Sequence, residues 1–223
     1  MKVVSLWSAG KDSCFACYRA MVSGHEVSAL FNFTQADGQD SLSHGLSSEV
    51  IRQQAELTGI PIIQKAIPKE AYRDEFKRLI TEYKDKEGIR GIIFGDIYLQ
   101  EHKDWIDRVC RELGVEAILP LWGRDTKELI LEIINSGFKA IVVSTGAGIL
   151  GKEWLGRKID NEFIEELSPE IDPCGEKGEF HTFVYAGPIF KKPVDFILGE
   201  RIKKDNHWFL EILPKDTEIC RRR

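Results

Sequence analysis

A chain of 223 residues, 43% hydrophobic and 30% charged, is long enough to bury a real core and to hold a nucleotide-sized domain plus a smaller partner. Its formal net charge of -5, from 31 basic against 36 acidic side chains, argues against a protein whose main work is gripping a nucleic-acid backbone, so no direct nucleic-acid binding is expected and Arg221 to Arg223 read as a solvated tail. No stretch approaches the ~20 apolar residues of a membrane span, no signal-peptide pattern opens the chain, and five cysteines without a dense framework fit reduced thiols, which together imply a cytoplasmic protein with no membrane partner.

Lys2 to Trp7 is a β-type run. It leads into Ser8 to Ser13, S-A-G-K-D-S, and then into a helix through Met21 for which Asp12 and Ser13 are candidate caps. A strand, a tight small-residue loop and a helix start make a phosphate cradle. Small residues let the backbone approach a bound group, the first-turn N–H groups lack intrahelical partners, and the helix dipole favours an anion. Ser8, Gly10, Lys11, Asp12 and Ser13 are therefore the candidate nucleotide contacts, with Lys11 a mobile cation for phosphate oxygens and Asp12 a candidate Mg²⁺ ligand. The loop is not G-x-x-x-x-G-K-[ST]; it resembles the S-x-G-x-D-S pyrophosphate loop of the N-type ATP pyrophosphatases. Ala9 stands where many such loops carry a second glycine. Cys14 and Cys17 lie one turn apart in the helix; a sulfur-transfer role is conceivable, but core packing is the stronger reading.

Gly24 ends the first helix, and Glu26 to Phe33 is the second strand, with Asn32 at its carboxyl end as a further nucleotide contact. The polar segment Thr34 to Ser47 holds Asp37, Asp40 and His44 and reads as a flap; His44 is as much a phosphate or substrate contact as a solvated side chain. Ser47 or Ser48 caps a helix through Leu57, and Ile60 to Ile67 is a third strand. Glu70 to Lys86 shows apolar residues at helical spacing, and Gly91 to Phe94 is apolar enough for a buried parallel strand. Gly95-Asp96 at its carboxyl end is a site candidate: Gly95 for close approach, Asp96 for ribose, metal or ammonia, or merely as a helix cap. The helix Gln100 to Leu113 and the strand Glu116 to Leu119 complete five β-α units. They call for a doubly wound, five-stranded parallel sheet, Rossmann-like, with a switch between the first and fourth strands.

Pro120 to Gly123 breaks the pattern, dividing the chain into an ATP-binding domain, 1–123, and a smaller mixed α+β domain, 124–223. The second unit reads as a helix (Thr126 to Asn135), a strand (Ala140 to Val143), a glycine turn at Thr145 to Gly148, a short helix (Phe163 to Leu167) and a hairpin around Asp205-Asn206. Within it, D-P-C-G-E-K-G-E-F-H-T-F-V at Asp172 to Val184 projects Glu176 and Glu179 from tight backbone. Carboxylates so placed serve Mg²⁺, an ammonium ion or general-base work on an amine.

The N-terminal loop, Gly95-Asp96-Ile97, Pro120-Leu121-Trp122 and C-G-E-x-G-E-[FY]-x-T-x-V at 174 to 184 together resemble the diphthine–ammonia ligase family, over essentially the whole chain and in a short, archaeal-like form. The resemblance implies the adenine nucleotide α-hydrolase fold and the last step of diphthamide synthesis. Diphthine on translation elongation factor 2 is amidated with ammonium through an acyl-adenylate, with ATP converted to AMP and pyrophosphate and Mg²⁺ as cofactor. It assigns Lys11, Asp12, Glu176, Glu179, Thr182 and His44 to the chemistry. The remaining chain is too short for a separate glutaminase, so free ammonium is the expected nitrogen donor. A homodimer is allowed but not specified. Two rivals stand beside this reading: a tRNA-modifying ATP pyrophosphatase with cysteine sulfur carriers, and a nucleotide-binding stress-type protein without catalysis.

Overall fold

The computed structural model describes residues 1–38, 41 and 45–215. Strands β1 (Lys2–Leu6), β2 (Glu26–Thr34), β3 (Ile62–Ala66), β4 (Gly91–Ile93) and β5 (Glu116–Ile118) form one parallel sheet in the order β3-β2-β1-β4-β5. The order reverses between β1 and β4, so their carboxyl ends flank the crevice where ligands bind in such sheets. The connecting helices are α1 (Lys11–Val22), α2 (Ser48–Glu56), α3 (Tyr72–Glu87) and α4 (Gln100–Leu113). A 3-10 turn at Lys69–Ala71, opened by the bond from Ala71 N to the Pro68 carbonyl, precedes α3 and delays its start relative to the predicted Glu70.

The second unit is antiparallel. After α5 (Thr126–Asn135), strands β6 (Lys139–Gly146), β7 (Phe180–Ala186), β8 (Phe196–Lys204) and β9 (His207–Pro214) pair in the order β7-β6-β9-β8, with α6 (Asn161–Glu166) packed beside them. Thr145 and Gly146, expected in a turn, belong to β6: Thr145 pairs with Phe180 on one side and Trp208 on the other, and this double pairing overrides the local glycine signal.

The two sheets share a core. Phe15 of α1 meets Phe138, just before β6, edge-on at 5.6 Å, and buried residues run without a break from Val3 and Cys14 to Phe183 and Ile212. A second cluster, with Phe31, Phe76 and Ile92, fills the opposite face of the parallel sheet. The free edge of β7 is the joint. Val184 N donates to the Ala9 carbonyl at 3.0 Å, and the buried amide of Gln54 donates to the carbonyls of both Ala9 (3.0 Å) and Val184 (2.6 Å) while accepting from Trp7 Nε1 (2.8 Å). A sheet edge that would otherwise expose unpaired backbone is thus covered by the loop after β1.

Candidate functional site at the switch point

The loop after β1 is held from outside. Gly10 is the N-cap of α1 and supplies no side-chain cap; Asp12 and Ser13 lie inside the first turn instead of capping it as the sequence suggested. The missing cap comes from 171 positions away: Lys11 N donates to Thr182 Oγ1 at 3.0 Å, and Ser13 Oγ donates back to the Gly10 carbonyl at 3.1 Å. Ser8 and Ser13 hydroxyls lie 3.0 Å apart, closing the loop on itself. Ala9 has φ 67°, the left-handed conformation a glycine reaches at no steric penalty, and its fixed carbonyl partners hold it there.

Lys11 is only 2% exposed. Its Nζ donates to both carboxylate oxygens of Asp12 (3.0 and 2.8 Å) and to the Cys174 carbonyl, and stands 5.5 Å from the centre of the Phe180 ring. Burial by itself would lower its pKa, but Asp12 and Cys174 outweigh burial and hold the ammonium above its ordinary value. Asp12 is pushed up by burial, with Lys11 pulling the other way.

The turn from Asp172 to Glu179 closes over this loop. Asp172 Oδ1 accepts from Cys174 N (2.7 Å) and Oδ2 from Tyr98 Oη (2.8 Å), tying the turn to the segment after β4. Gly175, at φ 67°, is required: a Cβ there would lie 2.7 Å from the Phe180 carbonyl oxygen. The two glutamates that flank these glycines then part company. Glu179 is buried and accepts from Asp172 N (3.3 Å) and Lys177 N (2.9 Å), so its carboxylate is spent on the turn's own backbone. Glu176 accepts one bond, from Ile97 N at 2.9 Å, and burial, reinforced by Asp12 and Asp96 against that bond, pushes its carboxyl up to about 7. A carboxyl that changes charge near neutrality is equipped for proton transfer.

These elements line one cavity of about 440 Å³. Of the residues singled out from sequence, Ser8, Lys11, Asp12, Ser13, Asn32, Asp96, Gly95, Glu176 and Thr182 all border it, whereas Gly10 and Glu179 stand behind it as supports. Asn32 also binds the Trp7 carbonyl (2.9 Å), fixing the end of β1 to β2. Gly95 is needed for a reason the sequence did not give: a Cβ there would press on Ser13 N at 2.9 Å and the Asp12 backbone at 3.0 Å, so it admits helix α1 and not only a ligand. Asp96 does not cap α4; it pairs with His102 Nδ1 in that helix's first turn, at 2.9 Å. His44 and Asp40, expected in the flap, lie outside the described residues, and Asp37 falls just before them.

Sequence reasoning missed three contributors. His181 borders the cavity, and burial together with the Lys11 charge pulls its pKa down to about 4, keeping the imidazole neutral. Tyr72 and His102 reach the rim from α3 and α4; Tyr72 belongs to the apolar spacing of Glu70 to Lys86, for which no site role was expected. The cysteines, by contrast, are not set up as thiolates: burial drives Cys14 far above the ordinary thiol range and Cys17 and Cys174 to about 12. Among the described residues, no group of three or more His, Cys, Asp and Glu side chains forms a metal cluster, and no helix is long and apolar enough to cross a membrane.

A switch-point cavity floored by a small-residue loop and roofed by a carboxylate-bearing turn defines a ligand-binding α/β protein of the doubly wound class. Comparison with known proteins narrows this. The chain matches the diphthamide synthase N-terminal domain over residues 1–117 and the diphthamide synthase C-terminal domain over residues 125–217, and it belongs to that family. Similar curated proteins include the diphthine–ammonia ligase of Schizosaccharomyces pombe, 30% identical across 87% of this chain and 36% of that protein. Those of Bos taurus and Homo sapiens are each 29% identical, across 87% of this chain and 82% of theirs. The chain therefore spans little more than a third of the fission-yeast relative and most of the other two. Among solved structures, a predicted subunit of tRNA methyltransferase from Methanocaldococcus jannaschii is 16% identical, with a TM-score of 0.46 over 87% of this chain and 100% of that one.

Proposed function

We propose that this chain amidates diphthine on translation elongation factor 2, using ATP and free ammonium in the cytoplasm. The acceptor carboxylate attacks the α-phosphorus of ATP, a P–O bond to pyrophosphate breaks, and a carboxyl–AMP anhydride forms. Ammonium gives up one proton to become ammonia, which attacks the acyl carbon; the bond to AMP breaks and a second proton leaves the nitrogen, so that of the two protons one goes to a base and the other to solvent. The observation that carries this reading is that one cavity joins the Ser8 to Ser13 loop to Glu176, whose carboxyl sits near 7; the names of the curated relatives support it.

In this reading Ser8, Lys11 and Ser13 face the β- and γ-phosphates from a helix N-terminus, with Gly10 keeping the backbone close. Asn32 and the Gly95-Asp96 pair border the rest of the nucleotide. Asp12 suits Mg²⁺, which is held by one or two carboxylates together with substrate phosphates; its carboxylate, 28% exposed, turns toward the cavity. When bound, the ion supplies charge neutralisation on the phosphates. Glu176 accepts the proton of the attacking nitrogen, while Glu179 and Thr182 hold the turn and the loop in register and act only through them. His44 stays a candidate for the acceptor side. We place the ATP-binding unit at residues 1–123 and the acceptor unit at 124–223.

The test is to incubate the protein with ATP, Mg²⁺, ammonium and candidate acceptors and to follow the spent nucleotide by chromatography. Diphthine-bearing elongation factor 2 should yield AMP, pyrophosphate and amide in equal amounts. Stoichiometric ADP, or turnover only with a nucleic-acid acceptor, contradicts the proposal.

A further inference from the structure

The surroundings of the Lys11 ammonium resemble a binding site for a free cation. Its three N–H donors are all used inside the protein, two on the Asp12 carboxylate at 3.0 and 2.8 Å and one on the Cys174 carbonyl, with the Phe180 ring face 5.5 Å away. At 2% exposure the group is shut off from water. Yet Lys11 borders the cavity in the loop that faces phosphate, and an ammonium with three donors cannot serve a phosphate oxygen without releasing at least one of these partners.

We propose that the oxygens of Asp12 and Cys174, closed by Phe180, are the binding site for the ammonium ion that supplies nitrogen, and that the Lys11 side chain fills this site until nucleotide phosphates draw it away. The inference rests on the ligase reading and deepens it, since it fixes where the second substrate sits and in which order the two bind. Size and chemistry match: the site already holds an –NH₃⁺ group, and a free ammonium ion offers one more donor from the same nitrogen. The charge of Glu176 also favours a cation at this point, and the two residues line the same cavity. Mg²⁺ is a poorer fit between Asp12, the Cys174 carbonyl and Phe180, because it demands near-octahedral oxygen ligands at about 2.0–2.1 Å, and an aromatic face supplies none; the Asp12 carboxylate, with about four lone-pair sites, can face ammonium on this side and a phosphate-borne Mg²⁺ on the cavity side. Ordered binding follows. Before ATP arrives the ammonium site is plugged from within; afterwards the lysine serves phosphate and the site opens.

Thermal unfolding tests this without catalysis. Three samples are titrated with ammonium chloride against sodium chloride at matched ionic strength: the parent alone, the parent saturated with a non-hydrolysable ATP analogue, and Lys11→Met without nucleotide, which keeps the stem and removes the charge. The parent alone should show no ammonium-specific change. The analogue-bound parent and Lys11→Met should each show a rise that reaches about 3 °C once ammonium is at roughly ten times its dissociation constant and then grows with the logarithm of its concentration. If Lys11→Met does not fold, the analogue-bound parent decides; if the analogue does not bind, Lys11→Met decides. Absence of the rise in the deciding sample, or an equal rise in the parent alone, overturns the inference. Failure of AMP formation with every acceptor would sink the ligase reading but would leave this melting result to stand or fall separately.

Discussion

The loop after β1 and the turn before β7 are built from the same materials, glycine, carboxylate and lysine, and end up with opposite electrostatics. In the loop the charges cancel at close range: Lys11 and Asp12 face each other at 2.8 Å, and the helix start is capped by an uncharged hydroxyl. In the turn, the Glu179 carboxylate accepts from two backbone N–H groups, while Glu176, three residues earlier, accepts from one and is pushed up to about 7 by burial. A carboxylate's part is decided by how many backbone donors face it. Two make a brace; one in a dry setting makes a group that can take a proton.

Removing the odd member of that comparison should have the largest effect. Glu176→Gln keeps the shape and the acceptor for Ile97 N but cannot take up a proton, so amide formation should fall by ~10²-fold or more while calorimetric ATP affinity stays within a few-fold of the parent. Removing the braces should act on stability instead. Thr182→Val strands the buried Lys11 N and should cost about 1–3 kcal/mol by denaturant titration, whereas Glu179→Ala releases Asp172 N and Lys177 N, which lie nearer to solvent, and should cost about 1 kcal/mol for each bond lost. Activity per folded molecule should survive far better than in Glu176→Gln; an equal loss would merge the two classes and break the distinction.

His181 and Glu176 should also give opposite pH signatures. His181 is depressed to about 4 from an ordinary 6.5, so the unfolded chain binds the extra proton and stability falls as pH drops from 6.5 toward 4. Glu176 is raised from 4.5 to about 7, so the folded state binds the extra proton and stability falls as pH rises across that interval. Melting curves of His181→Gln should be flatter on the acid side, and those of Glu176→Gln flatter between 4.5 and 7. The smallest effect is expected at Ala9. Ala9→Gly relieves the left-handed backbone but loosens the unfolded chain and removes a buried methyl, so denaturant titration should move by no more than about 1 kcal/mol in either direction.

Which parts of this were legible beforehand follows from the range of the forces involved. The parallel sheet and its switch point were, because apolar strand runs and amphipathic helices are written locally, residue after residue. So was the gathering of Ser8, Lys11 and Asp96, since carboxyl strand ends meet at one crevice, whereas Glu176, in the turn before β7, was tied to them only by its glycine-flanked turn and the family resemblance. The first-turn cap of α1 was not: Asp12 and Ser13 have the right chemistry, but Thr182 reaches the N–H first, and nothing near position 11 announces it. Gln54, a polar residue of α2 that drew no reading from the sequence, is buried between the two sheets, joining Trp7, Ala9 and Val184. Glu176 and Glu179 are indistinguishable as letters, each beside a glycine; only the direction of three backbone N–H groups separates them. His181 lies at an unremarked position of the motif and becomes a cavity residue because β7 presents its edge to the loop.

The division of labour between loop and turn is tested most directly by separating the half-reactions. Acceptor-dependent exchange of labelled pyrophosphate into ATP reports adenylation alone and needs no ammonium, whereas amide formation needs both steps. In Glu176→Gln the account predicts exchange within a few-fold of the parent with amide formation down by ~10²-fold or more. Exchange and amide formation lost in equal proportion, or both retained in full at limiting ammonium, would contradict it.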